Sequence, residues 1–194
     1  MALDGLSADG MSAILAKQKA AHIRDGIPSA AQREAWIDKS IDLLITHGDA
    51  LSKAMAEDFG HRSVDQSNLT DIAGSIGALK FSKKHMRKWM RPEKRKVDFP
   101  LGLLGSKAQI QYQPKGVIGV ISPWNFPVNL TFAPLANVFA AGNRAMIKPS
   151  EFTEKTSELM AELIAKYYTE EEVAVITGGP DVGAAFTKLP FDHI

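Results

Sequence analysis

From Pro114 onward, short apolar runs alternate with helix-length amphipathic ones, and this order restricts the fold more tightly than any other feature of the chain. Val117-Ile118-Gly119-Val120-Ile121 reads as a strand buried on both faces, Arg144-Ala145-Met146-Ile147-Lys148 as a second, and Val173-Ala174-Val175-Ile176 as a third. The first two are separated by a helical run from Asn129 to Ala141, which carries Pro134 and is closed by Gly142. Thr153 to Tyr168 follows as an amphipathic helix with Leu159, Leu163 and Tyr167 on its core side. Gly179-Pro180 opens a short helix through Phe186, and Phe191 to Ile194 begins a fourth strand. Strands joined by helices through such short links pair in parallel, with right-handed crossovers. The expected class is α/β.

Residues 1–91 read as helical. Ser12 offers an N-cap, and Gly26 and Pro28 end the first helix. Ser29 with Gln32 forms a capping-box pattern ahead of Trp36, Ile37, Ile41, Leu44 and Ile45. His47-Gly48 is expected to stop that helix and Asp49 to cap the next, whose face carries Leu51, Met55 and Phe59 up to Gly60. A further helix is expected from about Ser67 to Met90, with Ile72, Ile76, Leu79, Met86 and Met90 on one side and Pro92 as its stop. Val97-Asp98-Phe99 and Ala108 to Tyr112 then read as the two strands of an arm.

Composition excludes several chemistries. The chain of 194 residues has no cysteine, so it supplies no disulfide, thiolate metal site or thiol nucleophile, and no metal site is expected. A net charge of +1 gives no global attraction to nucleic acid or membrane. Met1 to Gly10 lacks the basic and apolar regions of a secretory signal, and no apolar run is long enough to span a bilayer. The expectation is a soluble cytoplasmic protein. The final residues, Phe191 to Ile194, start a strand and stop, as the front part of something longer would.

In open parallel sheets, ligands bind at the carboxyl ends of the strands. Three polar, constrained turns share that rim: Ser122-Pro123-Trp124-Asn125, Lys148-Pro149-Ser150-Glu151 and Thr177-Gly178-Gly179-Pro180. In the first, Asn125 offers an amide donor inside "PWNFP", and the flanking prolines are expected to limit its backbone freedom. A developing oxyanion needs a preorganised donor, worth roughly 2.7–4 kcal/mol per contact. On sequence logic alone the favoured reading is a turn asparagine satisfying nearby backbone groups, with Trp124 as packing. In the second turn, Pro149 keeps Lys148 extended and sets an ammonium and the Glu151 carboxylate on one rim. Such a pair suits the hydroxyls of a ribose, or a plain ion pair at a helix start. The glycine pair is no G-x-G-x-x-G fingerprint; it fits a flat ring such as adenine, or only a tight turn.

"PKGVIGVISPWNFPVNL", "AAGNRAMIKPSE", "ITGGP" and "FDHI" resemble, in order and spacing, motifs of the aldehyde dehydrogenase superfamily, most closely its class 3, fatty and coniferyl-type branch. The helical front, from Arg33 to Leu44 and at "EDFG", is similar too. The resemblance implies part of a cofactor-binding domain, N-terminal helices plus a Rossmann-like parallel sheet. Residues 1–91 would be its helical segment, 92–113 a β arm for oligomerisation, and 114–194 the first part of the NAD-binding sheet. It implies that Asn125 is the oxyanion-hole amide. Ile121, Ser122, Pro123 and Trp124 would contact the cofactor near its nicotinamide. Lys148, Ser150 and Glu151 would bind the adenosine ribose, and Gly179 and Pro180 would line the adenine pocket.

The implied cofactor is NAD, with NADP as a second acceptor and Glu151 favouring NAD by repelling a 2′-phosphate. The implied substrate is an aldehyde, aromatic such as coniferyl aldehyde, or fatty, and the implied assembly is a homodimer. In the family a cysteine thiolate attacks the aldehyde, hydride passes to NAD(P)⁺, and a glutamate-activated water hydrolyses the thioester. By resemblance the cysteine, the glutamate and a phosphate-binding Gly-Ser segment lie beyond Ile194, so these residues alone are expected to be inactive.

Three rivals stand beside this reading. A basic run at Lys80, Lys83, Lys84, Arg87, Lys88, Arg91, Lys94, Arg95 and Lys96 would suit nucleic acid or an anionic membrane, but reads first as a solvated helix face without stacking aromatics. A noncatalytic scaffold dimerising through the arm is the second. An acylating enzyme using coenzyme A or phosphate is the third.

Overall fold

The computed structural model describes residues 6–194. The first five residues of the expected helical segment, and of the stretch judged to lack a signal, lie outside them. Helix α1 (Ala8–Asp25) is capped by Ser7, whose hydroxyl accepts from the Gly10 amide at 3.2 Å, not by Ser12. Gly26 ends it with φ 68°, a conformation glycine adopts without cost. Helix α2 (Ala30–Phe59) starts at the expected Ser29 cap and ends at Gly60.

His47-Gly48 does not break α2. A Cβ at Gly48 would lie 3.2 Å from Ile72 Cγ2, so the glycine admits a neighbouring segment rather than a turn. A mid-helix glycine costs about 1 kcal/mol relative to alanine, and close packing offsets that here. Ile45 is exposed, whereas Trp36, Ile37, Leu43, Leu44, Leu51 and Met55 are buried. The expected helix from about Ser67 to Met90 is three joined pieces: α3 (Val64–Ser67), a π-helical turn (Asn68–Ala73) and α4 (Gly74–Trp89). The π turn rotates the helix face, and Asp71, Ser75, Leu79, Ser82 and Met86 line the buried side.

The arm pairs differently from expectation. Strand β1 (Glu93–Arg95) lies antiparallel to β2 (Ala108–Ile110), and Val97 to Phe99 is not a strand. Every residue of this ribbon is exposed. With no buried face to select a register, polar contacts such as Tyr112 Oη to Glu93 at 2.8 Å accompany the pairing.

Strands β3 (Val117–Ser122), β4 (Arg144–Pro149) and β5 (Val173–Val175) form the expected parallel sheet in the order β3-β4-β5. The last residues begin to add a strand beyond β3. Asp192 N donates to Val117 O at 3.1 Å, and Gly119 N donates to His193 O at 2.9 Å.

Alternate side chains point to opposite faces of a strand, and the core divides that way. Ile118, Val120, Ala145, Ile147, Val173 and Val175 join a large cluster with α2, α4, α5 (Asn129–Ala140) and α6 (Glu154–Tyr167). Val117, Met146, Ala174 and Ile176 join a smaller one with α1 and Phe186 of α7 (Pro180–Thr187). The protein is thus an α/β sandwich, and its helical front shares the larger core with the sheet. No helix among the described residues is long and apolar enough to cross a membrane.

Candidate active site

The three expected turns do leave the same ends of β3, β4 and β5. After β3 the chain runs Ser122 buried, Pro123, Trp124 and Asn125 exposed, Phe126 half-buried, and Pro127 and Val128 buried before α5. The Ser122 side chain faces inward: the Thr131 hydroxyl lies 2.7 Å from its Oγ and 2.7 Å from Pro127 O. Ser122 therefore presents only its backbone to the rim, whereas Ile121 and Trp124 are each 51% exposed. The Trp124 ring sits 6.3 Å from that of Phe59.

Part of the backbone around Asn125 is held from outside the turn. Arg62 Nη1 donates to the Asn125 carbonyl at 2.7 Å. Asp71 Oδ1 accepts from the amides of Val128 at 3.2 Å and Asn129 at 3.1 Å. Asn129 Nδ2 donates to Thr70 O at 3.0 Å. Val128 itself provides no side-chain cap, so a remote aspartate caps α5. The Asn125 carboxamide is exposed and has no hydrogen-bond partner among the described residues. A turn asparagine satisfying its own neighbourhood would look different.

The prolines do less for Asn125 than the sequence implies. Each fixes its own φ and restricts the residue before it. Pro123 therefore constrains 122–123 and Pro127 constrains 126–127, leaving Asn125 to the Arg62 contact. Neither Arg62 nor Asp71 was expected from the sequence. The one available signal was an acidic residue, Asp71, in phase with Ser75, Leu79, Ser82 and Met86 along a buried stripe.

At the end of β4 the expected pair is present but folded in. The Lys148 side chain is 3% exposed, with Nζ donating to Pro149 O at 2.7 Å and lying 3.8 Å from Glu151 Oε2. Burial lowers the lysine pKa from its ordinary value, and the Glu151 charge opposes that. Ser150 Oγ accepts from Phe152 N at 3.3 Å and so caps a 3₁₀ turn, Glu151–Thr153, ahead of α6.

A cleft of about 270 Å³ lies between Pro149-Ser150-Glu151, Glu154 and Glu158 on one side and Thr177-Gly178-Gly179 on the other. It joins the second and third turns. Thr177 is 6% exposed, and its Oγ1 has no partner. Gly178 adopts φ 133°, and a Cβ at Gly179 would meet open space. Pro180 begins α7 and is exposed. A larger hollow of about 750 Å³, between Trp89 to Glu93, Tyr112 and Ala140-Ala141, includes none of these rim residues.

Helix α6 is also capped from the helical front. Asp58 accepts from Lys155 N at 3.0 Å, from Thr156 N at 2.9 Å and from Thr156 Oγ1 at 2.6 Å. Two aspartates of the front thus anchor α5 and α6, two of the three helices that follow the rim turns. The basic run is partly neutralised by α2: Lys83 pairs with Asp38 and Arg87 with Glu34, each at 2.6 Å. One face of α4 does carry a row of aromatic rings: Phe81 and His85 are tilted at 4.2 Å and His85 and Trp89 stacked at 5.9 Å.

Comparison with known proteins gives a consistent result. The profile described as "Aldehyde dehydrogenase family" matches residues 7–191. A probable coniferyl aldehyde dehydrogenase of Caulobacter vibrioides is 61% identical over 95% of this chain and 38% of its own length. A coniferyl aldehyde dehydrogenase of a Pseudomonas species is 47% identical over 97% of this chain and 38% of its own length. Among solved structures, the substrate-bound state of Staphylococcus aureus AldH superposes with a TM-score of 0.85 at 26% identity, covering 93% of this chain and 39% of that one. The chain therefore spans less than two-fifths of the length of these relatives.

Proposed function

Because the chain belongs to the aldehyde dehydrogenase family, we propose that the complete protein oxidises an aldehyde to the carboxylic acid with NAD and water, releasing NADH and a proton. The observation that carries this reading is Asn125: an exposed, unpartnered carboxamide on a turn held by Arg62 at its own carbonyl and by Asp71 at the amides of Val128 and Asn129. Its N–H donates to the aldehyde oxygen as negative charge builds there. The thiol nucleophile and the base come from residues outside this chain, which has no cysteine. The 194-residue chain alone is inactive on this reading.

The rim suits a dinucleotide. The orphaned Thr177 Oγ1 borders the cleft with Glu151, and the space beside Gly179 is open. Ser150, Glu151 and, after its ammonium leaves the Pro149 carbonyl, Lys148 hold the adenosine ribose. Gly179 and Pro180 flank the adenine. Ile121, Pro123, Trp124 and the Ser122 backbone meet the nicotinamide end. NAD, when bound, accepts the hydride from the aldehyde carbon. Glu151, Glu154 and Glu158 together line the cleft with negative charge and favour NAD over NADP.

The names of the Caulobacter and Pseudomonas relatives support an aromatic aldehyde of the coniferyl type as substrate. The arm, residues 92–113, pairs the protein into a homodimer. What supports this is its exposed Phe99, Leu101, Leu103 and Leu104, which no core of this chain buries. NADH formation by the complete protein tests the reading across aromatic, fatty and short aldehydes. A highest kcat/KM with coniferyl aldehyde and NAD is expected, and no aldehyde-dependent NADH with any of them would overturn it.

A further inference from the structure

The Arg62 guanidinium reaches three separate elements. Nε donates to Ser67 Oγ at 3.1 Å in α3, Nη2 to Asp71 Oδ2 at 2.6 Å in the π turn, and Nη1 to the Asn125 carbonyl at 2.7 Å. Its plane is flanked by the rings of Phe59 and Phe126, at 5.0 and 5.2 Å. The side chains of Arg62 and Asp71 are 8% and 0% exposed. Taking two charges out of water costs several kcal/mol per ion before their attraction is counted. A simple packing contact there would be met as well by two apolar side chains.

What the ion pair supplies is a fixed geometry. A planar fork with its donors in one rigid arrangement transmits position as well as charge. Through Asp71 the fork is tied to the amides of Val128 and Asn129, and directly to the carbonyl of Asn125. The pair therefore grips the turn on both sides of Phe126-Pro127. Asn125, like Trp124 before it, has a backbone that neither proline restricts. Holding its carbonyl narrows the range of its Cα–Cβ bond, and with it the reach of the carboxamide. The Thr70 hydroxyl lies 3.1 Å from Asp71 Oδ2 and completes the shell around the carboxylate.

The geometry points to Arg62 and Asp71 as positioning residues for the oxyanion amide, acting through Asn125 and touching neither substrate nor cofactor. This rests on the reading of Asn125 given above. A displacement of about 1 Å in a reacting geometry can cost on the order of 100-fold in rate, so the effect belongs in kcat.

The test is a double-mutant cycle in the complete protein. Arg62→Lys keeps the charge and loses the fork. It should lower kcat by about tenfold or more while leaving the KM for NAD within about twofold. In an Asn125→Ala background the same change should cost less than about twofold, because nothing remains to be positioned. Asp71→Asn keeps the oxygen that caps α5, removes the charge that anchors Arg62, and should reproduce both results. A folded Arg62→Lys protein with undiminished kcat, or an equal loss in both backgrounds, overturns the positioning role and leaves the role of Asn125 intact. An Asn125→Ala protein with undiminished kcat overturns the reading beneath it.

Discussion

Asp58 offers a quantitative test of how the helical front supports the rim. Its carboxylate takes the second and third amides of α6 and the hydroxyl of Thr156, a residue with no exposed surface. Thr153, at the cap position itself, makes no side-chain cap bond. In Asp58→Ala the helix loses its cap, worth about 1 kcal/mol and up to about 2. The Thr156 hydroxyl is also left buried without its partner, a further penalty of about 1–3 kcal/mol. The sum is a loss of about 2–5 kcal/mol. Asp58→Asn keeps one acceptor and should lose about half of that.

Urea unfolding of the complete protein reads this as a lowered midpoint at unchanged slope. Glu57→Ala is the control. Glu57 pairs with Lys155 at 2.7 Å, but both side chains are well exposed, and such pairs contribute at most about 1 kcal/mol. Because α6 follows directly on Ser150 and Glu151, Asp58→Ala should also raise the KM for NAD several-fold. A midpoint shift equivalent to under about 0.5 kcal/mol, or one no larger than that of Glu57→Ala, would refute remote capping as the anchor of this helix.

Two further outcomes are expected. Glu151→Gln should raise the NADP-to-NAD ratio of kcat/KM about tenfold, since removing one nearby unit charge at a partly exposed site is worth about 1–2 kcal/mol; an unchanged ratio would remove Glu151 from the ribose site. Glu172 is held below its ordinary carboxylate value of 4.5: burial works against ionisation, but donors from Trp36, Thr169 and Lys39 outweigh it. Its stabilising contribution is therefore complete above pH 4.5 and lost as pH falls through the lower folded value. The stability advantage of the wild type over Glu172→Gln should shrink on acidification below that point, and an advantage constant with pH would contradict the assignment.

The sheet was legible because each strand is a short apolar run and each crossover between strands is a helix-length segment bounded by glycine or proline, signals that are local. Ser29, Gly26, Gly60 and Pro180 marked helix ends for the same reason: capping and left-handed turns depend on the residue itself. Long-range contacts were not legible. Gly48 reads as a stop until Ile72 is seen packed against it. No local signal marks Asp58 or Asp71 as a helix cap, yet each caps a helix far along the chain. Lys148 was expected at the rim and lies folded onto its neighbour's carbonyl, while the Ser122 hydroxyl is taken by Thr131. The arm register was invisible because an exposed ribbon has no apolar face to fix it.

The site followed the same division. That the turns after β3, β4 and β5 share a rim follows from topology alone. That the turn around Asn125 is held by Arg62 and Asp71 required the folded positions of both.

The most direct measurement is the kcat of the Asn125→Ala complete protein with NAD and its best aldehyde. A fall on the order of 100-fold to 1,000-fold, with the KM for NAD little changed, is the predicted result. A fall of less than about tenfold would contradict the role assigned to this amide.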